Sequence, residues 1–238
     1  MKRKALLIGD SGYGDDYLSG VEYDLENYKN FLKSLRGGAW YDEEISILSN
    51  KSKNVILNEI KAIKETKYDL VFVVFTGHGS YDNDKQYRML SVGIYDESIY
   101  EKGLWNLAPK QILILDSCSG YLHESLSCEH KVSAFNMATL QKKARYKYEG
   151  ICLQCPPQQI YLYASKIGSL ANDLGNGGLY STKLLEILEK NKIEGQYLDI
   201  ISAHHATSIK IRKERQETDK LVDISKKPYL PGAIKDIL

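Results

Sequence analysis

The chain has 238 residues, 43% of them hydrophobic, and a formal net charge of +1. That is enough apolar material for one large core, and so even a charge balance gives no electrostatic case for a nucleic-acid or membrane partner. Residues 1–8 begin like a leader peptide, but Gly9-Asp10-Ser11-Gly12 stops the apolar stretch at once, and no other run approaches the ~20 apolar residues of a membrane helix.

From the amino end, residues 4–8 read as a strand. Residues 20–35 carry Val21, Leu25, Tyr28, Phe31, Leu32 and Leu35 at helical spacing. Residues 44–48 alternate as a second strand. Ser52 caps a helix running to about residue 64, with Val55, Ile56, Ile60 and Ile63 on one face. Residues 69–75 form a third strand, 81–86 a polar turn, 87–95 a small hairpin and 98–107 a short helix ahead of Pro109. Residues 111–115 and 159–163 are further strands. Helices follow at 179–188 and 197–212, and a short strand at 228–230. Residues 121–158 lack a sustained period and read as an irregular insertion. Strand–helix alternation of this kind predicts a single α/β domain over residues 1–238, with a mostly parallel sheet and helices on both faces.

Two strand ends carry the chemistry. Thr76-Gly77-His78-Gly79 follows one apolar run and Asp116-Ser117-Cys118-Ser119-Gly120 follows another. Short runs of Val, Ile and Phe closed by Gly read as buried parallel strands, and open α/β sheets place their sites at the carboxyl ends of such strands. A Cys and a His facing one crevice there suit nucleophilic amide cleavage, with Cys118 as thiolate and His78 as proton donor to the leaving amine. The backbone N–H groups of Gly79 and Cys118 are the candidate oxyanion donors. Taken singly, a Cys after a strand is usually a small packing residue. The pairing is what carries the reading.

The motifs together resemble the caspase-like cysteine peptidases, in particular the bacterial members related to metacaspases. Thr76-Gly-His-Gly-Ser80 resembles their Ser-Gly-His-Gly. Asp116-Ser-Cys-Ser-Gly120 resembles their Asp-Ser-Cys-His-Ser-Gly, one residue shorter. Lys4-Ala-Leu-Leu-Ile-Gly9 and Leu18-Ser-Gly-Val-Glu-Tyr-Asp24 resemble their opening strand and the motif after it, with Val21 where a Cys is usual. Ala164-Ser165 and Asn176-Gly-Gly-Leu-Tyr-Ser-Thr182 resemble their fifth strand, substrate loop and next helix. The resemblance implies a caspase-type sandwich on a mostly parallel six-stranded sheet. It implies a cysteine endopeptidase working through a Cys118/His78 dyad without an obligatory third residue, and a role in regulated cell death or phage defence.

Metacaspases cleave after Arg or Lys, and their acidic pocket positions match Asp24 and Asp116, with Thr76 as a polar companion and Ala164 and Ser165 as further substrate-binding candidates. Asp116 stands two residues before the candidate nucleophile, so its carboxylate belongs in the primary pocket, where a substrate guanidinium would offset its desolvation. The expected partner is therefore a protein or peptide with a basic residue at the cleavage point. An activating partner or a small messenger is open, and no cofactor is expected. The family's calcium cluster is matched only by Asp82 and Asp84, with Ser125 where an acid is expected. Cys128, His130, Cys152 and Cys155 have the residue types of a zinc site, against the default of unmetallated packing cysteines. Four cysteines in a chain this long are no disulfide framework and point to a reducing, cytoplasmic setting. The basic run at residues 141–147 is either a solvated helix face or a self-cleavage site after Lys142, Lys143, Arg145 or Lys147. The rival readings are a catalytically weak scaffold and a same-fold peptidase of different specificity.

Overall fold

A computed structural model describes residues 1–93, 97–118, 138–214, 216–223 and 225–235. Its centre is a sheet of β1 (Arg3–Asp10), β2 (Ile45–Ser49), β3 (Leu70–Gly77), β7 (Lys110–Ser117), β8 (Gln158–Tyr163) and β10 (Asp219–Val222) in the order β10-β8-β7-β3-β1-β2. Five of these strands run parallel, and β10 pairs antiparallel with β8 at the edge.

The strands are apolar on both sides because both sides are covered. Ala5, Leu7, Leu70, Phe72, Val74, Ile112 and Ile114 join one core, with α1 (Gly20–Lys33), α3 (Ala138–Gln154), α4 (Leu179–Lys190) and α5 (Ile200–Ile211). Their alternates Leu6, Ile8, Val71, Val73, Phe75, Leu113 and Leu115 join a second core with α2 (Lys53–Thr66). Side chains alternate across a strand, so parity alone sorts the residues between layers. A three-stranded antiparallel sheet, β4 (Gly79–Asp82), β5 (Tyr87–Val92) and β6 (Glu97–Tyr100), covers the rest of the second face. β9 (Tyr197–Asp199) pairs with β11 (Pro231–Ile234) beside α5.

Four expectations change. Residues 98–107 are not a helix: β6 runs into a single 3-10 turn over Glu101–Leu104. Residues 197–199 are a strand, and α5 starts only after Asp199, whose side chain accepts the Ser202 amide as its N-cap. The largest change is α3, a helix of 17 residues inside the stretch read as irregular. Ala144, Tyr148, Ile151 and Cys152 form its buried stripe, but exposed Tyr146 and Leu153 blur the period in the sequence. Part of what docks the helix is polar. Arg145 hydrogen-bonds both Glu44 carboxylate oxygens at 2.6 and 2.7 Å and lies 3.0 Å from Glu149. The fully buried Arg3 binds Glu44 and stacks on Trp40 and Tyr148. The edge strand β10 was unread, because it is short and mostly exposed. The last strand falls at 231–234 rather than 228–230.

Candidate active site

In β3 and β7 the register pairs Thr76 with Asp116 and Gly77 with Ser117. Thr76 and Asp116 share their parity with Val74 and Ile114, so they face the layer that holds α1 and α4. His78 and Cys118 continue from these two strand ends. Both line one cavity of about 410 Å³, together with Thr76, Asp116, Asp24, Asp15, Asp16, Ala171 and Asp173. The other catalytic candidate, Gly79, opens β4. A Cβ on it would stand 3.0 Å from the Cys118 carbonyl oxygen and 2.9 Å from Ser117 Oγ, so only glycine lets the two backbones meet.

The His78 ring is oriented by a backbone group. Its Nε2 lies 2.6 Å from the Asp16 carbonyl oxygen. A carbonyl only accepts, so Nε2 carries the proton and the neutral ring keeps Nδ1 as its base. Gly12, at φ +69°, lets the loop pass the imidazole, since a Cβ there would meet Nε2 at 2.7 Å. That loop is pinned by the Ser11 amide on Asn50 Oδ1 and by the Leu18 amide on the Ser11 carbonyl. A main-chain partner leaves no residue type in the sequence to find.

Cys118 is partly exposed, and its Sγ donates to the Ala171 carbonyl at 3.3 Å. Burial pushes its thiol up from the ordinary range, and the charges of Asp116 and Asp173 push the same way. We read the Ala171 contact as favouring the thiol form, because a carbonyl oxygen accepts a hydrogen bond and repels a thiolate.

Asp24 lies on the buried face of α1 and is 1% exposed. It accepts hydrogen bonds from Thr76 Oγ1 at 2.7 Å and from the Gly178 amide at 3.0 Å. Burial raises its carboxyl well above the usual range, and the neighbouring Asp116 adds to this. Asp116 is 4% exposed and accepts the Ser181 amide at 3.0 Å, and Tyr28 in turn donates to Ser181 Oγ. Burial lifts Asp116 to about 6. Among the described residues no ion pair reaches either carboxylate, and no Lys or Arg lines the cavity.

Residues 2–228 match the caspase domain family. The chain belongs to that family. The caspase domain is a cysteine-peptidase fold, and solved structures agree with it. Caspase-1 from Spodoptera frugiperda superposes with a TM-score of 0.62 at 15% identity, covering 100% of this chain and 92% of that one. A Geobacter sulfurreducens protein gives 0.63 at 15% identity over 97% of each chain. No protein of curated function matches the sequence.

This caspase domain brings together most, but not all, of the expected site. Ala164 and Ser165 do not line the cavity: Ala164 is buried at the end of β8, and Ser165 Oγ donates to the Ser117 carbonyl at 2.9 Å, bracing the strand beneath Cys118. Cys128, His130 and Ser125 lie outside the described residues. Cys152 and Cys155 are buried in the core at the end of α3, and burial raises both thiols. Asp82 accepts the amides of Asp84 and Lys85 and the Tyr100 hydroxyl, so its carboxylate shapes the β4–β5 turn. No helix among the described residues is long and apolar enough to cross a membrane.

Asp173 went unread. It sits three residues before the Asn176-Gly177-Gly178 signature, and it accepts the amides of Gly20 and Gly175 at 3.2 and 2.7 Å. Ser19, the residue before α1, makes no side-chain cap, so Asp173 caps α1 from a remote loop. The Asp of an Asn-Asp pair in a Gly-rich loop reads locally as a turn residue, and only the fold carries it to the pocket.

Proposed function

We propose that this caspase-domain protein is a cysteine endopeptidase that cleaves proteins or peptides after Arg or Lys. The observation that carries the reading is the buried pair Asp24 and Asp116, which among the described residues have no cationic partner in a cavity shared with Cys118 and His78. Two carboxylates held without a cation cost stability unless something repeatedly supplies one, and a substrate guanidinium or ammonium fits. Free, polar surroundings would leave them solvated; these two are instead fixed by Thr76, Gly178 and Ser181.

In this reading Cys118 attacks the carbonyl carbon of the basic residue itself. The amides of Gly79 and Cys118 receive the oxyanion. His78, held through Nε2 by Asp16, takes the thiol proton at Nδ1 and returns it to the leaving amine, and water then releases the acyl group. Activation by a partner or a small messenger, a cytoplasmic setting and a role in cell death or defence go with this reading as what the family implies. A fluorogenic peptide library varied at the residue before the cut tests it. Turnover confined to Arg and Lys is expected. Preference for Asp, Asn or apolar residues would refute it.

A further inference from the structure

Among the described residues, the carboxylates that line the cavity of the candidate nucleophile come from every side. Asp116 approaches from β7, Asp173 from the loop between β8 and α4, and Asp24 from α1, while Asp15 and Asp16 line the mouth from the β1–α1 loop. His78, just past the end of β3, is the one group among the described lining residues able to become cationic. The loop that supplies Asp173 also supplies the Ala171 carbonyl, which takes the Cys118 S–H. It closes on itself through Leu174 to Gly177 and Leu179 to Asn172, and its Gly178 amide binds Asp24. One short loop therefore touches the nucleophile, supplies the half-buried Asp173 and binds the deeply buried Asp24. A site built for fast thiolate chemistry ordinarily surrounds its Cys with positive charge. Here the fixed charges are negative.

We propose that the acidic pocket is an electrostatic gate on the nucleophile: while empty, Asp116 and Asp173 hold Cys118 as a thiol on the Ala171 carbonyl, and a guanidinium or ammonium side chain entering the pocket releases that proton to His78. The step balances as a proton transfer. The S–H bond breaks and Nδ1–H forms with no change in net charge, and each bound cation cancels one unit of the pocket's negative charge. Specificity for basic residues then acts twice. The cation is bound, and its charge also makes the thiolate that attacks. Asp173 gains a role beyond capping α1, as the carboxylate that ties the loop at the nucleophile to the charge of the pocket. The raised thiol of Cys118, with Asp116 and Asp173 among its causes, agrees with this arrangement. The proposal rests on the Arg/Lys reading of the pocket.

The test is a pH titration of the ultraviolet absorbance of the Cys118 thiolate in the full chain, with the Cys118→Ala protein subtracted. It is run empty, with n-butylguanidinium, and with the uncharged isostere n-butylurea, and calorimetry on the same samples reports binding. The midpoint is expected to fall by about one unit with the cation and to stay in place with the urea. Alkylation by iodoacetamide at neutral pH should then quicken about threefold, since about tenfold more thiolate is partly offset by its weaker nucleophilicity. Asp173→Asn keeps an acceptor for one of the two amides, which bind different carboxylate oxygens. It should lower the midpoint of the empty protein and shrink the response to the cation, shifts that a purely capping role would not produce. A cation that binds without lowering the midpoint overturns the gate and leaves the Arg/Lys reading standing. A cation that does not bind overturns both.

Discussion

Two regions of this molecule bury charge, and they do it in opposite ways. At the start of β1, Arg3, Glu44, Arg145 and Glu149 form a closed set in which each charge meets its opposite, with the amino terminus 3.5 Å from Glu149. At the other end of the sheet, Asp24 and Asp116 are buried more deeply than Glu44, Arg145 and Glu149, and among the described residues they meet only neutral donors and each other. Burial raises both pocket carboxyls. Glu44, despite its burial, is held below the usual range by Arg145 and the other donors around it. The first arrangement satisfies itself and serves packing. The second is incomplete by design of its donors, and incompleteness is what a ligand site requires.

The largest expected effect lies at the incomplete end. Cys118→Ala and His78→Ala should each lower peptidase activity by at least about 10³-fold, and the double variant should be little worse, because the pair acts as one unit. Both should keep the wild-type circular dichroism and melting profile. Substantial turnover by Cys118→Ala would remove the nucleophile from the mechanism.

The closed network should respond in stability instead. Glu44→Ala leaves Arg3 and Arg145 with Glu149 as their remaining carboxylate, and losing the shared partner of this partly buried set costs about 1–3 kcal/mol. Denaturant unfolding measures this, while kcat per folded molecule at low temperature should hold. An activity loss with unchanged stability would blur the contrast between the regions.

Asp116→Asn should do the reverse. Cleavage after Arg is expected to fall about 10²-fold in kcat/KM, as a buried cation loses its partner. Yet the variant should be more stable at pH 8, on the order of 1–3 kcal/mol. The sign follows from the raised carboxyl. Between its ordinary value of 3.8 and about 6 the folded chain holds a proton that the unfolded chain has released, so stability declines as pH rises through that window. Removing the carboxyl removes the decline, and the advantage of the variant should fade as pH approaches 4. Equal stability at pH 8 would mean that the pocket relieves its charge by some other route.

The smallest expected effect concerns self-processing. Lys142, Lys143, Arg145 and Lys147 lie within α3, with Ala144 and Tyr148 buried between and beside them and Arg145 held by Glu44. A helix must unwind before a peptidase can take it as an extended strand, so the structure opposes the cut that the basic run suggests. Intact mass of the active protein should show no break after these four residues. Fragments dependent on Cys118 and ending there would show that α3 opens.

Much of this was legible in the sequence because the strands are buried on both faces. Residues 70–75 and 111–115 could hardly be anything but central strands, and the parity of positions 76, 78, 116 and 118 follows from the pleat alone. Asp24 was legible only through the resemblance of Leu18-Ser-Gly-Val-Glu-Tyr-Asp24 to the family motif, since a charged residue on a helix carries no hydropathy signal of burial. α3 was lost because Arg145 and Glu149 take part of its inner side, and charged positions paired by distant residues carry no hydropathy signal. Residue types and their spacing thus determined the fold and the candidate Cys–His pair. Only the tertiary structure decided what surrounds that pair: the Asp16 carbonyl on His78, the Ala171 carbonyl on Cys118, and Asp173 beside Asp24 and Asp116. Main-chain groups are identical in every residue, and a carboxylate's neighbours depend on the path of a loop. Packing order is written in side-chain pattern, whereas the charge of a pocket is settled when remote segments meet.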